Sequence, residues 1–168
     1  MTISMYQVSV PMFVRAFNAL SAVIEKGEAH AAATGLDPAD IFAVRLAPDM
    51  LPFPKQIQIA SDMAKGGVAR LAGLTPPSWA DDEADLPALR ARLAKTVAYL
   101  ESIPADQVDG SEEKDITLKA GQNEYHFKGQ AYLLHFVIPN VFFHLTTAYG
   151  LLRQKGVEIG KRDFLGGI

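Results

Sequence analysis

Chemistry at a protein site needs a titratable, ligating or nucleophilic group held beside a second one, and this chain offers few such groups. It has four histidines, His30, His126, His135 and His144, and no cysteine. The missing thiols exclude thiolate nucleophiles, disulfides, iron–sulfur clusters and Cys-type zinc sites together. His135 and His144 are nine residues apart, which puts them on opposite sides of a helix and bars them from sharing one metal. His126 falls on the polar side of an alternating segment. His30 lies among alanines near a helix C-terminus, where an imidazolium favours the helix dipole.

The strongest pattern is Asn140 with His144, four residues apart and so stacked on one helix face, with Thr147 three further on. A polar face of this kind needs partners from a neighbouring helix, and Asp49 and Gln56 are the candidates. His144, Asn140, Asp49, Gln56 and Thr147 thus define a candidate ligand pocket. The same residues also suit a bland alternative, a core histidine satisfied by hydrogen bonds, because buried polar groups need partners whatever their role. Arg45 and Asp49, at i and i+4, predict a local ion pair. The Glu-x-x-His of di-iron bundles, the Gly-rich phosphate loops and His-Glu-x-x-His are all absent. No nucleophile elbow supports a Ser-His-Asp triad.

The elements that must position these residues are mainly helices. Apolar residues at Met5, Val8, Met12, Ala16, Phe17, Leu20, Val23 and Ile24 predict a first long helix over about Ser4–Ala33, with Pro11 in its first turn or at a kink. Asp37-Pro38 opens a short helix that ends near Ala47-Pro48. A second long helix starts near Pro54 and carries Ile57, Ala60, Ala64, Leu71 and Leu74. Gly66-Gly67 inside it implies a close helix–helix approach. After a Pro-rich loop holding Trp79, the stripe Leu86, Leu89, Leu93, Val97, Leu100 and Ile103 predicts a third long helix, ended by Pro104. The alternation of Ile116 and Leu118, then Tyr125 and Phe127, predicts a β-hairpin over 115–128. A last long helix runs over Gln130–Lys155, stopped by Gly156, and a Gly-rich tail follows over 157–168.

At 168 residues, with 49% hydrophobic and 21% charged, the chain is expected to form a single soluble domain spanning 1–168. The net charge of −3 argues against nucleic acid as a partner. Its densest basic stretch, Arg153, Lys155, Lys161 and Arg162, is interrupted by Glu158 and Asp163. Met1 to Val10 has no basic n-region and no cleavage pattern, and with no cysteine the expected location is cytoplasmic. Residues 130–152 carry no Asp, Glu, Lys or Arg and match the roughly 20 residues of a membrane span. They also hold His135, Asn140, His144, Thr146 and Thr147 and are interrupted by Pro139. The amphipathic helices need an apolar partner, so this segment is expected to be the most buried helix of the core, with no membrane involved.

The run Asn140-Val-Phe-Phe-His144-Leu-Thr-Thr-Ala-Tyr149-Gly-Leu-Leu-Arg153-Gln-Lys-Gly156-Val157 resembles the last bundle helix of the DinB-like superfamily. That helix typically reads His-x-x-x-His-x-Gly-Gln, followed by Arg and then Gly. Met5 to Pro11, Arg45 to Met50 and Gly160 to Gly166 resemble one branch of it, whose members are domains of unknown function. The resemblance implies an all-α fold: a four-helix bundle of up-down type with a crossover, plus one short helix and the hairpin insert. Superfamily members with known activity bind a divalent metal through three histidines and include thiol-dependent transferases and isomerases. Only His144 carries over as a metal ligand for Zn, Ni or Mn. Asn140 stands where the other histidine of the pair would be, and Asp49 or Gln56 is what the second helix offers. Three functions stay open: a small-ligand-binding bundle, a metal-dependent thiol-linked enzyme, and a homodimeric interaction module.

Overall fold

Pro11 decides where the first helix begins. In the computed structural model, which describes residues 3–167, α1 spans Val10–Thr34 with Pro11 in its first turn, where a missing N–H costs little. Residues 5–9 form turns instead of the expected helix, and the Tyr6 N–H is tied to Asp109 Oδ1 at 2.8 Å. Gly35, at φ 73°, ends α1 in a left-handed cap that glycine adopts without strain. Asp37 caps α2 (Pro38–Phe42) by accepting from the Ala39 N–H at 2.9 Å. This helix stops at Phe42, before Ala47-Pro48, and the chain turns back so that the Phe53 N–H reaches the Val44 carbonyl at 3.0 Å. The next helices are α3 (Phe53–Leu71), α4 (Leu86–Glu101, capped by Asp85) and the single turn α5 (Ala105–Val108).

The hairpin consists of β1 (Asp115–Ala120) and β2 (Asn123–Lys128), antiparallel, with Ile116 opposite Phe127 and Leu118 opposite Tyr125. Ile116 and Leu118 are buried, and Phe127 rests against Tyr132 and Phe136 with ring centroids 5.6 Å away in each case. A continuous helical stretch then runs from Gly129 to Gln154 in three parts: α6 (Gly129–Tyr132), a π-helical turn (Leu133–Val137) and α7 (Ile138–Gln154). Pro139 explains the middle part. Its ring has no N–H to donate and would press on the carbonyl four residues back, so the turn widens and the Ile138 N–H reaches Leu133. The helix bulges at Pro139 without ending there. After Gly156, at φ 85°, the tail forms α8 (Lys161–Phe164), with Phe164 edge-on to Tyr149 at 5.6 Å.

The long helices pack α1 on α4, α4 on α3, α3 on α7 and α7 on α1, around one cluster that includes Phe13, Phe17, Phe53, Leu89, Leu133 and Val137. One expectation needs correcting. The most buried long helix is α3, with 14 of 19 residues buried, against 6 of 17 in α7. Phe136 and Phe142 are half-buried and Phe143 is exposed. The physical reason is position: besides α4 and α7, α3 is covered by the Pro-rich loop, whose Asp81 and Glu83 bond Lys55 and Gln58. The Gly66-Gly67 reading holds at Gly67, where an added Cβ would lie 2.6 Å from Val137 Cγ1. The helix over Gly129–Gln154 is long and apolar enough to cross a membrane, but it buries Tyr132, Leu133, Val137, Val141, Leu145 and Leu151 inside the protein.

The loop between α3 and α4 is gathered around one buried guanidinium, with Lys55 on Asp81 and Gln58 on Glu83, each at 2.8 Å, beside it. Arg92, 3% exposed, reaches Asp62 at 2.9 Å, Asp81 at 3.1 Å, Glu83 at 2.9 Å and the Ala80 carbonyl at 2.9 Å. Trp79 lies between two ammonium groups, Lys65 Nζ at 4.5 Å and Lys95 Nζ at 4.4 Å from its ring centroid, a favourable cation–π pairing.

Candidate functional site

His144 sits on α7, half-buried, facing the start of α3. Its Nδ1 is 2.7 Å from Gln56 Oε1. Gln56, 2% exposed, sends its Nε2 to the Leu51 carbonyl at 2.8 Å. These two bonds settle where the protons are. A carbonyl only accepts, so the amide nitrogen of Gln56 faces Leu51 and its oxygen faces His144. That oxygen also only accepts, so the hydrogen is on His144 Nδ1. In the neutral ring, Nε2 is then left as a lone pair.

Burial pushes the His144 pKa below the usual histidine value, because a low-dielectric setting disfavours the imidazolium. The neutral ring is therefore the form present at pH 7. Nε2 has no hydrogen bond among the described residues. The Phe143 ring stands edge-on to the imidazole at 5.1 Å and is 55% exposed, and Leu51 is 45% exposed. The result is an oriented imidazole beside an exposed aromatic ring, with one acceptor nitrogen unused among the described residues.

Of the residues the sequence pointed to, only Gln56 is brought to His144. Asn140 donates its Nδ2 to the Phe136 carbonyl at 2.6 Å, in the π-helical turn. Thr147 donates its hydroxyl to the Phe143 carbonyl at 2.8 Å. Both are satisfied on their own helix, as short polar side chains four residues past a carbonyl commonly are. Asp49 is exposed and makes no hydrogen bond to His144. It also makes no ion pair with Arg45, which donates instead to the Met50 carbonyl at 2.5 Å. The turn over 47–50 carries Asp49 out of reach of both. His126 is exposed on the hairpin, 3.3 Å from Glu124, and His135 is exposed on α7's π-helical lead-in.

A three-histidine metal set does not fit these residues. Among the described residues no three His, Asp or Glu side chains converge as a metal group. The nearest donor to His144 is an amide oxygen already bonded to the imidazole, and amides suit zinc and nickel poorly. The Arg92 cluster was missed from sequence, although it left a signal. An arginine beside Leu89 and Leu93, in the apolar stripe of a helix, needs carboxylates, and Asp81-Asp82-Glu83 lie just upstream.

The family model that matches this chain, over residues 5–165, is described as Domain of unknown function (DUF1993). The chain belongs to that family. Among solved structures, the DUF1993 chain is similar to a DinB family member protein from Shewanella denitrificans. The two are 37% identical, with a TM-score of 0.88 and an alignment covering 97% of this chain and 92% of that one. No curated protein matches the chain. The DinB-like resemblance of the last helix thus extends to the whole DUF1993 domain.

Proposed function

We propose that this DUF1993 chain binds a small molecule at the junction of α3 and α7, with His144 Nε2 accepting a hydrogen bond from it. The ring of four long helices is read as a DinB-like bundle, up-down with one crossover, that brings the start of α3 to α7. The observation that carries the reading is the chain Leu51–Gln56–His144, which leaves Nε2 as an oriented acceptor. A ligand with a hydroxyl or N–H donor beside an apolar group fits the rim of Phe143 and Leu51. The metal-dependent, thiol-linked transferase or isomerase rests on the family resemblance alone.

A second reading has its own observation. Leu46, Leu51 and Phe143 are exposed by 55%, 45% and 55%, which suits an apolar contact in a homodimer.

The test is a hydroxyl- and amine-bearing fragment set screened by NMR against wild type and His144→Ala, with zinc, nickel and manganese in parallel melts. Fragments that shift the His144 ring nitrogens and lose binding in a folded His144→Ala variant support the proposal. Identical binding by the variant, or no binder at all, refutes it. A metal that raises the melting temperature of wild type but not of the variant transfers the site to the metal reading, since only native-state binding stabilises.

A further inference from the structure

A second cavity lies away from His144. A groove of about 790 Å³ follows the outer side of α1, bounded by the segment around α8 and by Glu101 at the end of α4. That volume lies within the roughly 300–1,000 Å³ typical of small-molecule sites. Its apolar floor includes Val14, Ala19, Ala22 and Val23, whose short side chains leave the space open. Gly166, at φ 74°, forms part of the wall, and a Cβ there would stand 3.5 Å from Ala19 Cβ.

The charges lining this groove are not all neutralised. Lys26 and Asp163 pair at 2.5 Å, and Arg162 is engaged as well. Arg15 and Glu101 have no ion-pair partner among the described residues and do not pair with each other. Arg15 is nonetheless fixed in place. Its Nε and Nη2 both donate to the Leu165 carbonyl, at 3.1 and 2.9 Å, and Nη1 has no acceptor among the described residues. A guanidinium already immobilised on one edge loses little freedom when the other edge binds. The Tyr6 hydroxyl and the Asn18 amide line the same groove and make no hydrogen bond among the described residues.

We propose that this groove is a second site, for a small zwitterion with an apolar body. Arg15 receives its carboxylate, Glu101 its ammonium, and Val14, Ala22 and Val23 its hydrocarbon part. A simple anion meets Glu101 as a like charge and a simple cation meets Arg15, so only a molecule carrying both charges satisfies both walls.

The test uses three probes with one hydrocarbon chain: 2-aminooctanoate, octanoate and octylamine. Each is titrated into the full chain by calorimetry, with the amide signals of Asn18, Ala22, Gly166 and Gly167 followed by NMR. The zwitterion is expected to bind at least about ten-fold more tightly than either singly charged probe. Glu101→Gln is expected to lower the zwitterion to the octanoate affinity. Ala22 is exposed, so Ala22→Trp fills the groove without entering the core and should abolish binding of all three. His144→Ala should change nothing here, which separates this site from the one on α7. Equal affinities for the three probes, no shift at the four amides, or unaltered binding by the Ala22→Trp variant would overturn the proposal. Should that variant fail to fold, the Glu101→Gln comparison alone decides it in the same sense.

Discussion

At the scale of single residues, Gln56 has more influence on His144 than any residue of α7 itself. It sets the tautomer, and its replacement has a definite sign. Gln56→Glu puts a carboxylate against Nδ1, which favours the imidazolium, so the His144 pKa should move from below the ordinary histidine value to above it. An NMR titration of the ring reads this directly, and an unchanged pKa contradicts the geometry described here. The wild-type imidazole also predicts a pH dependence of stability. The unfolded chain takes a proton near pH 6.5, whereas the buried ring takes it only at lower pH, so protons favour the unfolded state between the two values. The contribution of His144 is complete above about pH 6.5 and is lost as pH falls through its lowered folded value. Melting temperatures should drop from pH 7 to pH 5 in wild type and drop less in His144→Gln. The carboxylates held below their ordinary values do not confuse this window. Burial alone would raise Asp81 and Glu83, but their bonds to Lys55, Arg92 and Gln58 more than offset it, so their stability is lost only at lower pH.

At the scale of elements, two contacts hold the helices in register. Gly67 lets α3 approach the π-helical turn closely enough that a Cβ would strike Val137. Gly67→Ala gains helix propensity of about 1 kcal/mol, yet it should lose more, roughly 1–3 kcal/mol, through overpacking. Chemical denaturation should therefore show net destabilisation, and Val137→Ala in the same chain should recover part of it. Full independence of the two changes would mean that the contact carries no strain. The second contact is Arg92. Arg92→Met leaves Glu83 without its cation, while Asp62 and Asp81, 42% and 37% exposed, can rehydrate. The cost should be about 2–3 kcal/mol, below that of breaking a fully buried pair. Because Trp79 belongs to the loop that Arg92 holds, its fluorescence should shift towards that of solvated indole. An unshifted spectrum would show that the two lysines hold Trp79 without help.

At the scale of the whole molecule, the arrangement α1–α4–α3–α7 leaves Leu46, Leu51 and Phe143 among the large apolar side chains outside the core. A homodimer joined there, with the two-fold symmetry most soluble oligomers adopt, should scatter light as about twice the 18.2 kDa chain. Phe143→Ser should return it to the monomer mass. A wild-type mass of one chain at every concentration up to the millimolar range would end that reading. It would leave the small-ligand reading intact, because His144 and Gln56 belong to one chain.

The sequence by itself determined the four long helices and the hairpin, but not α5, α8, the π-helical turn or the early end of α2. Apolar stripes, caps and stops depend on residues close together in the chain, so Asp37-Pro38, Gly35, Gly156 and the alternation around Gly121 could be located without coordinates. The family resemblance was legible for the same reason, in the spacing along the last helix. Which side chains meet was decided by tertiary structure alone. Asn140, His144 and Thr147 share a face, yet Asn140 and Thr147 bond to carbonyls of their own helix, and that competition between local and long-range partners is invisible to spacing. Asp49 and Gln56 were equal candidates until the turn over 47–50 sent one outward and the helix start at Phe53 sent the other inward. The groove along α1 depends on where a tail returns from 150 residues away, and local preference does not specify a contact over that separation.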